Sequence, residues 1–167
     1  MARYRCILAY DGTAYRGFQR QAGSIPTVQS ALEHAIEHVT QQRVNVSAAG
    51  RTDAGVHAVG QVIAFDAAWR GTDAILMKAI NANLPNDIAL QEIRQHEGFH
   101  PRYDALSRSY QYTILVAEQR QPLQTRYSWQ LNNPLDLDVM QQAASMLIGT
   151  HDFATFGNPP QGTNTVR

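Results

Sequence analysis

What this sequence has little of narrows its class. Cys6 is the single cysteine in 167 residues, which excludes an internal disulfide framework and a thiolate metal cage. On an alternating segment it reads as a small core residue. No apolar run approaches the ~20 residues needed to cross a bilayer. The start, Met-Ala-Arg-Tyr-Arg-Cys, lacks the apolar core of a signal peptide, so a cytoplasmic address and no membrane partner are expected. Net charge is absent too: 14 basic residues balance 14 acidic ones, and bulk charge gives no pointer to nucleic acid. Lysine is nearly missing. Lys78 stands alone, leaving arginine to carry the positive charge, with Arg3, Arg5, Arg16, Arg20, Arg43 and Arg51 set against Asp11, Glu33, Glu37 and Asp53 before His57. Arginine's planar fork suits phosphates and base stacking, although genome composition can bias the same choice. What remains is a globular composition, 44% apolar and 17% charged, at a length that fits one well-buried domain or two small ones sharing a sheet.

Residues 3–10 alternate, with Tyr4, Cys6, Leu8 and Tyr10 on one face, and predict a strand. After Asp11-Gly12-Thr13 comes the loop Tyr15-Arg16-Gly17-Phe18-Gln19-Arg20-Gln21, whose rings, arginines and amides are the composition that stacks and hydrogen-bonds unpaired bases. Arg16, Arg20 and Gln21 are its candidates for RNA-backbone contacts. The spacing of Val28, Ala31, Leu32, Ala35, Ile36 and Val39 predicts a helix opened by Thr27 or Pro26 and reaching Thr40. His34 and His38 on that helix have no third ligand nearby and read as surface histidines, so no metal is expected.

Strands over 44–48 and 59–65, a helix capped by Thr72 or Asp73, and a strand over 88–93 complete the order βαββαβ. That is the order of a ferredoxin-like split βαβ unit, an α+β fold with an antiparallel sheet and two helices on one face. It occupies residues 1–97. Residues 98–167 read as the start of a second, similar half. Its elements are a long strand over 106–116 with Arg108, Tyr110 and Tyr112 on one face, a short strand near 127–131, a helix over 136–148 ended by Gly149, and an extended piece at 152–156. The glycine- and proline-containing loop at 157–167 feeds no further element, so the chain is expected to be the N-terminal portion of a longer protein.

The stretch Ala49-Gly50-Arg51-Thr52-Asp53-Ala54-Gly55-Val56-His57 joins two of the predicted strands. Gly50 and Gly55 bracket it, where positive φ or a close backbone approach would call for glycine. A strand-to-strand turn needs only Asn-Gly or Asp-Gly, so Arg51 and His57 are more chemistry than turning requires. Asp-x-Gly is also ordinary turn composition, and on composition alone a structural turn is the simpler account.

Gly50-Arg51-Thr52-Asp53-Ala54-Gly55-Val56-His57 resembles, over eight contiguous residues, the signature of the tRNA pseudouridine synthase A family. Further similar stretches run along nearly the whole chain: Asp11-Gly12, Gln19-Arg20-Gln21, Thr27-Val28-Gln29, Asn81-Ala82-Asn83-Leu84-Pro85, Phe99-His100-Pro101-Arg102, Arg108 with Tyr110 and Tyr112, and His151-Asp152-Phe153. The resemblance implies the pseudouridine synthase fold, continued beyond this chain. It implies an isomerase, free of any cofactor, that converts uridine to pseudouridine at positions 38 to 40 in the anticodon stem-loop of tRNA. It also implies a homodimer.

Carried over residue by residue, the resemblance makes Asp53 the catalytic nucleophile and Tyr110 the active-site tyrosine, able to stack on the uracil and abstract its proton. A carboxylate can attack ribose C1′ or base C6 and leave again. Arg51 is placed to favour ionised Asp53 and to fill the space of a flipped base or hold a phosphate. His57 is expected to support the turn. Arg102 and Arg108 join Arg16, Arg20 and Gln21 as substrate-binding candidates. From the residues alone, two rivals stand: a non-catalytic RNA-binding module of ferredoxin-like fold, and a small-molecule enzyme using Asp53 as a base.

Overall fold

The structure, a computed structural model, describes residues 1–156. The chain forms two compact units, Met1–Arg108 and a second from Ser109 onward. In the first, strand β1 (Ala2–Tyr10) buries Tyr4, Cys6, Leu8 and Tyr10, the face its alternation predicts. Helix α1 (Val28–Thr40) starts at Thr27, whose hydroxyl accepts from Ser30 N while Thr27 N donates back to the Ser30 hydroxyl. Strands β2 (Ser47–Ala48) and β3 (Ala58–Ala67), helix α2 (Asp73–Asn83, capped by Thr72) and strand β4 (Ile88–Gln95) follow. The sheet runs β2-β3-β1-β4, every pair antiparallel, which is the ferredoxin-like arrangement.

Leu32 and Ile36 of α1 and Leu76 and Ile80 of α2 share one core with Cys6, Leu8, Ile63 and Phe65. Each such side chain, fully buried, contributes about 1.5–3 kcal/mol. A register shift between Ile7 and Leu8 lets Leu90 and Ile93, three apart on β4, both face this core, pairing with Leu8 and Cys6.

The strand predicted over 44–48 is shorter because α1 takes its backbone groups. Val44 N donates to Glu37 Oε1 (3.3 Å), Val46 N to Glu33 Oε1 (3.0 Å), and Val46 O accepts from Gln29 Nε2 (3.1 Å). The two valines alternate in sequence and are buried, yet only Ser47 and Ala48 pair with β3. Helix α2 treats β4 in the same way: the Asn81 amide both donates to Leu90 O (2.9 Å) and accepts from Leu90 N (2.8 Å), and Asp73 accepts from Gln95 N (3.2 Å).

On the sheet's other face Arg3 Nε donates to Phe99 O, and the Arg5 guanidinium lies 5.8 Å from the Phe99 ring. The segment after β4 is thereby folded back across that face.

In the second unit, β5 (Ile114–Val116) pairs in parallel with β6 (Trp129–Leu131). The long strand predicted over 106–116 shrinks to those three residues because alternation supplies a face but not a ladder, and only they have one. Helix α3 (Leu137–Ser145) is capped by Asp136. It stops short of the predicted 148, since Met146, Leu147 and Ile148 bond three residues back, tightening the last turn before Gly149 at φ 118°. Ala154–Phe156 is a 3-10 turn rather than extended, its start held by Ala154 N donating to Asp152 Oδ1. The loop read at 157–167 lies outside the described residues. Among the described residues no helix is long and apolar enough to cross a membrane.

Candidate active site

The loop between β2 and β3 is held by its main chain. Phe18 N donates to Thr52 O (2.9 Å), Gly55 N to Tyr15 O (3.3 Å), and the Thr52 hydroxyl meets the buried Tyr10 hydroxyl at 2.7 Å. Val56 N donates to Asp53 O (3.2 Å), closing the turn, and Gly55 takes φ 79°. Gly50 has no positive φ; its carbonyl accepts from Gln61 Nε2 at 2.9 Å. Gly17 sits at φ 93°, and a Cβ there would lie 2.9 Å from Thr52 O, so the 15–21 loop meets the 49–57 loop backbone to backbone.

His57 Nδ1 accepts from Gly12 N at 3.1 Å, fixing the tautomer with its proton on Nε2 and giving the ring the supporting role expected of it. Asp11 Oδ1 lies 3.0 Å from the same nitrogen and would accept from it only in a ring that carries a proton on Nδ1. Tyr15 donates to Asp87 Oδ1 (2.6 Å). Burial, then the bond to Asp87, pushes its phenol up, so it stays a donor.

Against this fixed backbone, the side chains of Arg51 and Asp53 are exposed, and among the described residues neither has an ion pair. A groove of about 580 Å³ runs beside the loop, lined by Gln19, Asn45, Arg51, His100, Arg102 and Arg108 among others, with no carboxylate among the described residues on its walls. Three arginines remote in sequence are thus gathered on one groove. His100 is oriented by accepting from Arg102 N and Tyr103 N at Nδ1 (both 3.2 Å) and by stacking on Tyr103.

Arg16, Arg20 and Gln21 lie on the neighbouring loop, and all are exposed. Only Arg16 has its side chain uncommitted among the described residues: Gln21 Nε2 donates to Arg16 O (2.8 Å), and Arg20 pairs with Glu33 at 2.5 Å. The rings of that loop do not serve as base-stacking platforms. Tyr15 and Phe18 are buried in the core, because the loop must dock on α1 and β1 to reach Thr52. Tyr110 belongs to the second unit, before β5, with its ring exposed.

Sequence reasoning missed the supports of the loop. Gln61, an amide within an apolar strand, was a readable signal; Tyr10 and Glu33 were not, because their partners are remote. Glu33 is nearly fully buried and accepts from Gln29 Nε2 (2.8 Å), Val46 N and Arg20. Glu33→Ala strands two buried donors and is expected to lower stability by about 3 kcal/mol. Arg20→Ala, at the exposed end of the pair, should lose less than about 1 kcal/mol. Urea denaturation of both variants measures the difference, and equal losses would mean the carboxylate is not the centre of the cluster.

Residues 7–104 match the family model described as tRNA pseudouridine synthase. Among curated proteins named tRNA pseudouridine synthase A, that of Thermotoga sp. (strain RQ2) is 42% identical over 169 residues, covering 100% of this chain and 69% of the relative. Those of Neisseria gonorrhoeae (strain NCCP11945) and Geobacillus sp. (strain WCH70) are 42% and 40% identical over 156 residues, covering 92% of this chain and 58% and 62% of the relatives. Fold, loop and these matches define an isomerase of the pseudouridine synthase class. The chain belongs to the tRNA pseudouridine synthase A family.

Proposed function

We propose that this protein converts uridine to pseudouridine in the anticodon stem-loop of tRNA, at positions 38 to 40, with Asp53 as nucleophile. The observation that carries the reading is the Asp53 loop itself: a backbone fixed at several points, presenting a carboxylate and a guanidinium that have no ion pair among the described residues, beside an arginine-lined groove.

The reaction breaks the N1–C1′ bond, turns the uracil and joins C5 to C1′; C5 gives up its proton, which exchanges with water, and N1 takes one up, so substrate and product are isomers. It needs no oxidant and no group donor. Asp53 attacks ribose C1′ or base C6, and expelling it again completes the exchange. A stacked uridine must first leave the helix, and Arg51 supports the flipped state by occupying the gap or binding a phosphate. Tyr110 stacks on the uracil and takes the C5 proton. Arg16 and Arg102 supply RNA-backbone contacts. The enzyme works in the cytoplasm as a homodimer, the second subunit extending the surface for an arm longer than one cleft.

Tritium release from C5-labelled uridine in transcribed tRNA tests the function. Release from tRNA with uridine at 38 to 40, and none when cytidine replaces it there, is the expected result. Binding without release from any tRNA would leave the RNA-binding module as the better account.

A further inference from the structure

Three main-chain carbonyls of the loop that carries Arg51 and Asp53 are engaged by three different parts of the chain. Ala49 O accepts from Arg108 Nε (3.1 Å) and Nη2 (2.7 Å), Gly50 O from Gln61 Nε2 (2.9 Å), and Thr52 O from Phe18 N (2.9 Å). Ala49 N donates to Val62 O (2.8 Å), so that residue is held on both sides. These bonds hold the peptide planes on either side of Gly50 and the plane entering Asp53, which restricts the directions in which the Arg51 and Asp53 side chains leave the backbone. Arg108 Nη2 also lies 3.4 Å from Arg102 O, so one guanidinium bridges the loop and the segment returning from β4. Two nitrogens of its planar fork are spent on a single carbonyl, a geometry that a lysine ammonium does not reproduce.

We propose that Arg108 is a positioning residue for the Asp53 loop, acting through the Ala49 carbonyl rather than on the RNA, and that Gln61 acts likewise through Gly50. This rests on the reading of Asp53 as the reacting carboxylate. A phosphate contact by Arg108 would be served well by lysine, which binds phosphate as a point charge. A backbone clamp would not, and a displacement of about 1 Å at a reacting group can slow a reaction about 100-fold.

The test compares full-length wild type, Arg108→Lys, Arg108→Met and Gln61→Met by single-turnover tritium release at saturating tRNA. Filter binding over a range of salt gives Kd. All three variants are expected to lose about 10- to 100-fold in the saturated rate, with Kd within about twofold and its salt slope unchanged. Gln61→Met carries no charge change, so its loss reports the clamp alone. A wild-type saturated rate in Arg108→Lys or in Gln61→Met overturns the proposal. So does a weaker Kd with a salt slope lower by about one in Arg108→Met, which marks a phosphate contact. A wild type that releases no tritium from any tRNA would instead sink the reading of Asp53, and the proposal with it.

Discussion

Asp53→Ala is expected to slow pseudouridine formation by at least about 10⁴-fold, the scale seen when a catalytic nucleophile is removed. Binding of tRNA and thermal stability should change little. The separation follows from how the turn is made. A carboxylate that served only to pin the loop would accept from the turn's N–H groups, whereas here Val56 N bonds to the main-chain oxygen of Asp53. The side chain is exposed, without an ion pair among the described residues, so truncating it should shift stability by no more than about 0.5 kcal/mol. Tritium release, filter binding and a melting curve on one preparation distinguish the cases. A variant that melts early and still turns over would return Asp53 to a structural role.

Gly12→Ala should damage stability and rate together. A Cβ at Gly12 would lie 2.0 Å from Val56 O and 2.6 Å from its carbonyl carbon, contacts that no rotamer change can relieve because both atoms are backbone. Either the 53–56 turn or the turn after β1 must move by about 1 Å, and the shift would also disturb the Gly12 N–His57 bond. A loss of about 3 kcal/mol and of about 100-fold in rate is expected. Gly60→Ala is the control: nothing lies within 4 Å of a Cβ there, and its stability should stay within about 0.5 kcal/mol of wild type. Equal behaviour of the two variants in urea unfolding would show that the turn yields freely.

Much of this was legible because it is local or periodic. The alternation of β1, the stripe of α1 and the caps at Thr27 and Thr72 are signals written within a few residues of where they act. The βαββαβ order then leaves few topologies, and the observed sheet is the expected one. What was not legible depends on partners distant in sequence. Residues 44–48 alternate as a strand should, but Glu33 and Glu37 had already claimed their N–H groups. Tyr15 and Phe18 look like exposed stacking rings in a polar loop until that loop is docked on the core. At the site, sequence could nominate Asp53 and Arg51 from their loop and gather Arg102 and Arg108 by resemblance. It could not tell that the Arg108 fork is turned onto a carbonyl 59 residues earlier.

The helix side chains that bond β4 and the approach to β2 have a consequence for self-association. Both are edge strands of the four-stranded sheet, and an unguarded edge is a template for pairing with another molecule's strand, the first step toward aggregates. Here the Asn81 amide imitates the next strand at Leu90, with Asp73 accepting at Gln95, while the Glu33 and Glu37 carboxylates occupy the donors leading into Ser47. An incoming strand would have to evict these groups before forming a rung, so the helices that bury the sheet's inner face also insulate its margins from intruding chains.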